Sequence, residues 1–380
     1  VEAPDTPPPA DRGPAVRARI EALSKEVLDL EHGPAFRLHL FRLSADDHVL
    51  FFMVHHIVWD GASSDVMQAE LAELYGAAAA GREPALQPLA LTYGDFAAWQ
   101  RDWTSGPEPQ RQLAAWREVL TPLPETLELP QDRPRPTQMT GDGGSVRLHL
   151  PEAFAERVRH AARQQGVTVS TWLLAAWSAQ LHRASNQADF AVATPVRGRE
   201  QPGLDAIAGF FINMLPLRMR PEGATPFADW TRTVHDVVGA ACANPDVVLD
   251  QLLQALAVPR DTSRQMLAQV MYAFQDQRTR ARTWGPLAVA PFDIALHGST
   301  HDLSLYCNER TDGIECLLTY NLDVFDAVTA GQHLARLEHL LRQVVDTPAL
   351  ALQDIDLVPA GELAAVGGWN DTGRPPHRSA

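Results

Sequence analysis

Lysine is nearly missing from this chain: among 32 basic residues Lys25 is the only one, and the rest are arginines. Basic residues are outnumbered by 47 acidic ones, for a formal net charge of -15. That balance excludes the broad basic footprint that nucleic-acid binding requires. It also gives no long-range attraction toward an acidic partner, so docking to one must use local patches. Cysteine is scarce. Cys242, Cys307 and Cys316 are too few and too scattered for a disulfide framework or a zinc site. A reducing, cytoplasmic setting is therefore expected. No apolar run approaches the roughly 20 residues needed to span a bilayer, so no membrane association is expected. Val1 to Arg12 is rich in Pro and Asp and lacks the basic and apolar regions of a secretory signal. Phosphate-loop and serine-elbow signatures are absent too; Asp142-Gly143-Gly144 reads as a turn.

What is present is a globular balance. The chain has 380 residues, 45% hydrophobic and 21% charged, enough for two domain-sized cores. Helical spacing begins over 14–29. Phe36 to Leu43 and His48 to His55 read as two strands, with Ser44-Ala45-Asp46-Asp47 as the turn of a hairpin. The second strand is continuously apolar from Val49 to Val54, which predicts burial on both faces. Ser63 or Ser64 is placed to cap a following helix, with Met67, Leu71, Leu74 and Tyr75 on one face. Helices are predicted at 93–104 and 108–120. The run from Leu129 to Pro136 carries three prolines and reads as an extended linker. Beyond it, a strand at 145–150 and helices at 151–164 and 168–184 open a second unit. Strands follow at 189–195, 209–218 and 267–275. Asp312-Gly313 is read as a tight hairpin turn, and Leu334, Leu337, Leu341 and Val344 stripe a late helix.

Chemistry concentrates in His55-His56-Ile57-Val58-Trp59-Asp60-Gly61. It lies where an apolar strand gives way to a helix, so a rigid element holds the side chains while a loop opens the site. On a regular strand, adjacent histidines point to opposite faces, one toward a reaction channel and one inward. An imidazole titrating near neutrality accepts a proton from an amine, hydroxyl or thiol. Asp60 is close enough to brace the loop, and Gly61 permits a tight backbone path or the close approach of a substrate. The residues alone leave a structural histidine and a general base both open. A metal site is disfavoured, because it needs three convergent ligands and adjacent strand histidines diverge. Tyr93, Phe96 and Trp99 fall at helical spacing and read as core.

The motif resembles the HHxxxDG signature of nonribosomal peptide synthetase condensation domains; its HxxxD core also occurs in related acyltransferases. Further segments follow in that family's order. Tyr93-Gly94-Asp95-Phe96-Ala97-Ala98-Trp99 resembles YxDFAxW. Thr194-Pro195-Val196-Arg197-Gly198-Arg199 is similar to a strand ending in Gly-Arg or Asn-Arg. Ile207 to Arg218 resembles IGxFVNTLxLR, and Arg260-Asp261-Thr262-Ser263-Arg264 resembles RDxSR. Trp369-Asn370-Asp371-Thr372 is similar to the stretch leading into an adenylation domain. Two opening family motifs, SxAQxRxW and RHExLRT, do not occur, so the chain reads as N-terminally shortened. Trp59 stands where smaller residues are usual, and Ala62 where Trp is frequent.

The resemblance implies an α/β fold of two chloramphenicol acetyltransferase-like lobes, forming a V-shaped pseudo-dimer around a central channel. An incomplete N-terminal lobe would span 1–130, an interlobe linker 131–144, a C-terminal lobe 145–360, and a linker toward an adenylation domain 361–380. The implied reaction is amide formation between an upstream acyl- or peptidyl-carrier thioester and the amine of a downstream aminoacyl-carrier thioester. His56, Asp60 and Gly61 are the implied catalytic residues, with His55, Arg199 and Asn213 in support. Arg199, rather than Arg197, is expected to pair with Asp60. Asn213 is either a hydrogen-bonded anchor or a channel-lining group. No cofactor or metal is expected on the domain itself, because the phosphopantetheine arms belong to partner carrier proteins. Expected partners are the upstream and downstream peptidyl carriers and a following adenylation domain. The alternatives are a coenzyme A-dependent HxxxD acyltransferase, or a silent condensation-like domain that recruits carrier or tailoring proteins.

Overall fold

The computed structural model describes residues 12–278, 283–292, 294 and 297–370. The chain opens with α1 (Arg12–Leu23), followed by the antiparallel hairpin of β1 (Phe36–Arg42) and β2 (His48–Val54). Val16, Ile20 and Leu23 of α1 bury against Phe41, Val49 and Phe51 of the hairpin. Burial along β2 therefore alternates, and Leu50 is 37% exposed. The two-faced burial expected from its apolar run is not found. α1 covers only one face of the hairpin, so the pleat leaves every second side chain outside that core.

A short 3-10 turn (His56–Val58) leads into α2 (Gly61–Ala80). The cap of α2 is Asp60 rather than a serine. Its carboxylate accepts from the Ser63 N–H, and the Ser63 hydroxyl accepts from the Asp60 N–H, a reciprocal capping box. The apolar stripe expected on α2 is only partly used, since Leu74 and Tyr75 remain exposed. α3 (Tyr93–Thr104) and α4 (Pro107–Leu120) match their expected spans closely.

The rest is built on a six-stranded mixed sheet ordered β3-β10-β9-β6-β4-β5. Its strands are β3 (Gly143–Pro151), β4 (Phe190–Val196), β5 (Asn213–Met219), β6 (Val270–Asp276), β9 (Leu303–Arg310) and β10 (Gly313–Asn321). β6 runs parallel to both β4 and β9, while the other pairs are antiparallel. Helices α5 (Glu152–Gln164), α6 (Val169–Ser185), α7 (Phe227–Cys242) and α9 (Ala327–Asp346) supply apolar faces to the large core, with Trp172, Trp177 and Trp230 almost fully buried. α7 and the short α8 (Leu249–Ala255) were not anticipated from sequence. Packing changes partner before the proline-rich stretch: Trp116, Leu120, Leu127 and Leu129 already belong to the large core.

A short hairpin, β7 (Thr283–Trp284) and β8 (Leu287–Ala288), returns toward the N-terminal part. There Gly285 lies against Gly76 of α2, and Phe292 and Ile294 pack on the α1–hairpin core. The tight hairpin expected at Asp312-Gly313 joins β9 and β10, with Thr311 and Asp312 as its turn residues. Gly313 itself opens β10, paired with Arg310, and a Cβ there would meet the Leu150 carbonyl at 2.1 Å. Cys307 and Cys316 are direct cross-strand partners with sulfurs 3.7 Å apart, both buried and free. The expected linker toward a further domain begins as α10 (Ala360–Asn370). Asp371 and Thr372 of that motif lie outside the described residues.

Candidate active site

The motif loop leaves β2 before its histidines. His55 still donates its N–H to the Ala35 carbonyl at 2.9 Å, one step beyond the last paired residue of β2, and His56 opens the 3-10 turn, so strand alternation ends between the two histidines. Both are exposed, as are Ile57 and Val58. The inward packing expected for His55 is therefore not found. Its Nδ1 instead accepts from the Ile57 N–H at 3.1 Å, capping the turn that carries His56. That bond leaves Nδ1 unprotonated, and the turn rather than the strand sets the direction of the next side chain. Trp59 packs edge-on to Phe52 and donates from Nε1 to the Ser64 hydroxyl at 3.0 Å.

Beneath the exposed histidines lies a buried polar hub. Asp60 and Arg199 are both 1% exposed at their side chains. The Arg199 Nη2 donates to Asp60 Oδ1 at 2.9 Å and Oδ2 at 3.0 Å, and its Nη1 donates to the Leu204 and Ile207 carbonyls at 2.6 Å each. The guanidinium carbon lies 4.0 Å from the centre of the Phe211 ring. Such a pair holds together in a dry interior only where most of its remaining donors and acceptors are used. Gly198 makes the geometry possible. Its φ is 61°, and a Cβ would stand 2.1 Å from the Phe211 carbonyl. Arg197, by contrast, is exposed and reaches Asp205 at 3.3 Å.

Ser63 is the member that sequence reasoning under-read. It is fully buried, and its hydroxyl lies 2.8 Å from Asp60 Oδ1, 2.9 Å from the Gly209 carbonyl and 3.2 Å from the Arg199 Nη2. The Gly209 N–H donates to it at 2.9 Å, and the Phe211 N–H donates to Asp60 Oδ2 at 3.2 Å. The hub thus clamps the segment Gly209-Phe210-Phe211 onto the motif loop. Of these bonds, the Asp60-to-Ser63 spacing signals only the local capping box.

Tyr93 adds a third tie. Its hydroxyl donates to the Phe210 carbonyl at 2.7 Å, and its ring stands edge-on to Phe211. Burial, reinforced by the Asp60 carboxylate, pushes the phenol above its ordinary range, so it remains a donor at neutral pH. Tyr93 is 36% exposed, so it is a tie onto the 209–211 segment rather than the core residue expected. Phe96 is buried as expected, while Trp99 is 39% exposed.

Asn213 is an anchor. Its Nδ2 donates to the Pro245 and Val247 carbonyls at 2.7 Å each, and its Oδ1 accepts from the Met214 N–H. Gly61 opens α2 without left-handed backbone, so no tight path requires it. The absent side chain leaves room for Gln275 at the end of β6, whose Nε2 would lie 3.4 Å from a Cβ there. Of the Arg260–Arg264 stretch, Arg264 bridges Asp261 at 3.1 Å and Glu128 at 2.5 Å, away from the hub. Among the described residues, no three His, Cys, Asp or Glu side chains converge on a metal-sized site. Nor is any helix there long and apolar enough to cross a membrane.

The Condensation domain family model matches residues 10–366 of this chain. A linear gramicidin synthase of Brevibacillus parabrevis is 34% identical over 96% of the chain, and gramicidin S synthase 2 of Brevibacillus brevis is 32% identical over 90%. The chain spans 5% and 8% of those proteins' lengths. Among solved structures, the X-domain from teicoplanin biosynthesis superposes with a TM-score of 0.80 at 28% identity, covering 94% of this chain and 81% of that one. The first condensation domain of the calcium-dependent antibiotic synthetase gives 0.74 at 21% identity, covering 92% and 78%.

Proposed function

The chain belongs to the condensation-domain family, and on that premise we propose that it joins two carrier-bound substrates through an amide bond. The observation that carries this reading is His56 itself, an exposed imidazole on a turn whose base is locked by the buried Asp60–Arg199–Ser63 hub. A free amine on a downstream aminoacyl-carrier attacks the thioester carbonyl of an upstream acyl- or peptidyl-carrier. The new C–N bond forms, the C–S bond breaks, and the proton lost by nitrogen passes to the departing thiolate. His56 accepts a hydrogen bond from the amine, orients it and relays that proton. The thioester is already activated, so most of the acceleration comes from holding the partners together.

Asp60 bears the geometry rather than the proton, because both its oxygens are committed to Arg199 and to backbone donors. Gly61 and Ala62 begin α2, where the N–H groups of a first helical turn and the helix dipole favour a developing oxyanion. His55 supports the turn and Asn213 supports the 245–247 loop. Phosphopantetheine arms on the carriers would bring both substrates, and a neighbouring adenylation domain would load one of them.

The test supplies both loaded carriers and follows dipeptidyl-carrier product by mass spectrometry. Product from the wild-type chain, with a loss of about 100-fold or more in His56→Ala, is expected. Full activity in that variant would remove His56 from the reaction. A second reading is favoured by one observation: a complex of the X-domain and OxyB from teicoplanin biosynthesis matches with a TM-score of 0.79 at 29% identity. On that reading the chain recruits a tailoring protein, and wild type gives no product with any carrier pair.

A further inference from the structure

Phe210 takes no part in the proposed chemistry, yet it is the aromatic side chain that meets His56. The two rings stand edge-on, with centroids 5.3 Å apart and planes at 82°. Both are exposed, Phe210 to 38%. The segment on either side of Phe210 is unusually constrained. Gly209 is bound through its N–H to the Ser63 hydroxyl, and Phe211 through its N–H to Asp60. The Phe210 carbonyl accepts from Tyr93. A Cβ on Gly209 would fall 2.3 Å from the Tyr93 ring, so this backbone has no room to shift toward α3. The buried hub therefore fixes the main chain and leaves one large apolar side chain projecting beside the imidazole. Matched from Asn213 backwards, Phe210 also stands at the unspecified position of IGxFVNTLxLR. The motif dictates the clamp but leaves open what the clamp presents.

Resting on the proposed condensation reaction, we propose that Phe210 is a specificity-determining residue, a fixed wall beside His56 that selects acceptor amines with small side chains. The physical reason is exclusion. The attacking nitrogen must come within hydrogen-bond reach of the imidazole, so its α-substituent must lie close to the ring. An edge-on aromatic at 5.3 Å fills one flank of that space. Main-chain bonds on both sides prevent the wall from yielding by backbone movement, and removing the ring opens volume without breaking any of those bonds.

The test uses the chain with one fixed acyl-carrier donor and a panel of aminoacyl-carrier acceptors running from glycine and alanine to leucine and phenylalanine. Wild type is expected to favour the small acceptors. Phe210→Ala is expected to raise kcat/KM for the bulky acceptors relative to alanine by about tenfold, the scale on which pocket shape discriminates apolar groups. Phe210→Leu should fall between. Tyr93→Phe, which removes only the tie to the Phe210 carbonyl, should relax selection partially. An unchanged acceptor ratio in Phe210→Ala, or an equal fall for every acceptor, would overturn the assignment. Failure of the wild type to make any product would instead overturn the condensation reading, so the two failures are distinguishable.

Discussion

At the scale of the residue, the site depends on one buried charge pair more than on the histidine it supports. Asp60 serves as helix cap, counter-ion to Arg199 and acceptor for Phe211 at once. Removing it by Asp60→Ala strands a buried guanidinium. The expected cost is about 3–5 kcal/mol in urea unfolding, with activity lost alongside. Arg199→Lys keeps the charge but loses the two-carbonyl fork and the stack on Phe211, so it should recover little of that stability. If Arg199→Lys matched wild type, the planar fork would not be what holds the hub. The pairing of Asp60 with Arg199 was legible through the family resemblance. Ser63's place between them was not, because its partner Gly209 is brought near only by folding.

At the scale of the element, loops are held by single side chains. Asn213 sits at the first position of β5 and binds two carbonyls of the loop between α7 and α8. Asn213→Ala should leave the sheet intact while amides around 244–248 exchange faster, and hydrogen exchange reads this directly. Equal protection in that loop would show that other contacts hold it. Helices with strong caps and periodicity, such as α3 and α9, were legible from pattern alone. β2 was not, because an apolar run makes cover possible on both faces, whereas actual cover depends on what packs there. The β9–β10 hairpin was legible from Asp312-Gly313, but the β3 backbone, not the turn, demands Gly313 itself.

Across the whole molecule, buried titratable groups set the response to acid. Burial lowers His301 from 6.5 to about 4, and burial with the nearby Arg336 charge lowers His333 from 6.5 to about 4. The unfolded chain thus takes up protons at these histidines before the folded one does. Their contribution to stability is complete above pH 6.5 and is lost as the pH falls toward about 4. Asp189, held low by its hydrogen bonds to Arg218, and Glu362, held low by Arg336, add a second loss at still lower pH. Urea midpoints measured from pH 7 to 4 should hold to about pH 6.5 and fall below it. His333→Gln should flatten the upper part of the slope, and an unchanged slope would exclude His333 as a source.

The sequence by itself determined the α/β class, the order of most helices and strands, and the motif that locates the site. These follow from short-range periodicity, from capping and turn chemistry, and from the ordered family motifs. Only the tertiary structure decided which motif residues are buried, that His55 caps a turn instead of packing inward, and that Ser63, Tyr93 and Phe210 join the site. Those facts depend on segments far apart in the chain meeting at hydrogen-bond distance, as Ser63 meets Gly209 and Tyr93 meets Phe210. No local pattern encodes such a meeting, because it arises only when the core and the hub close together.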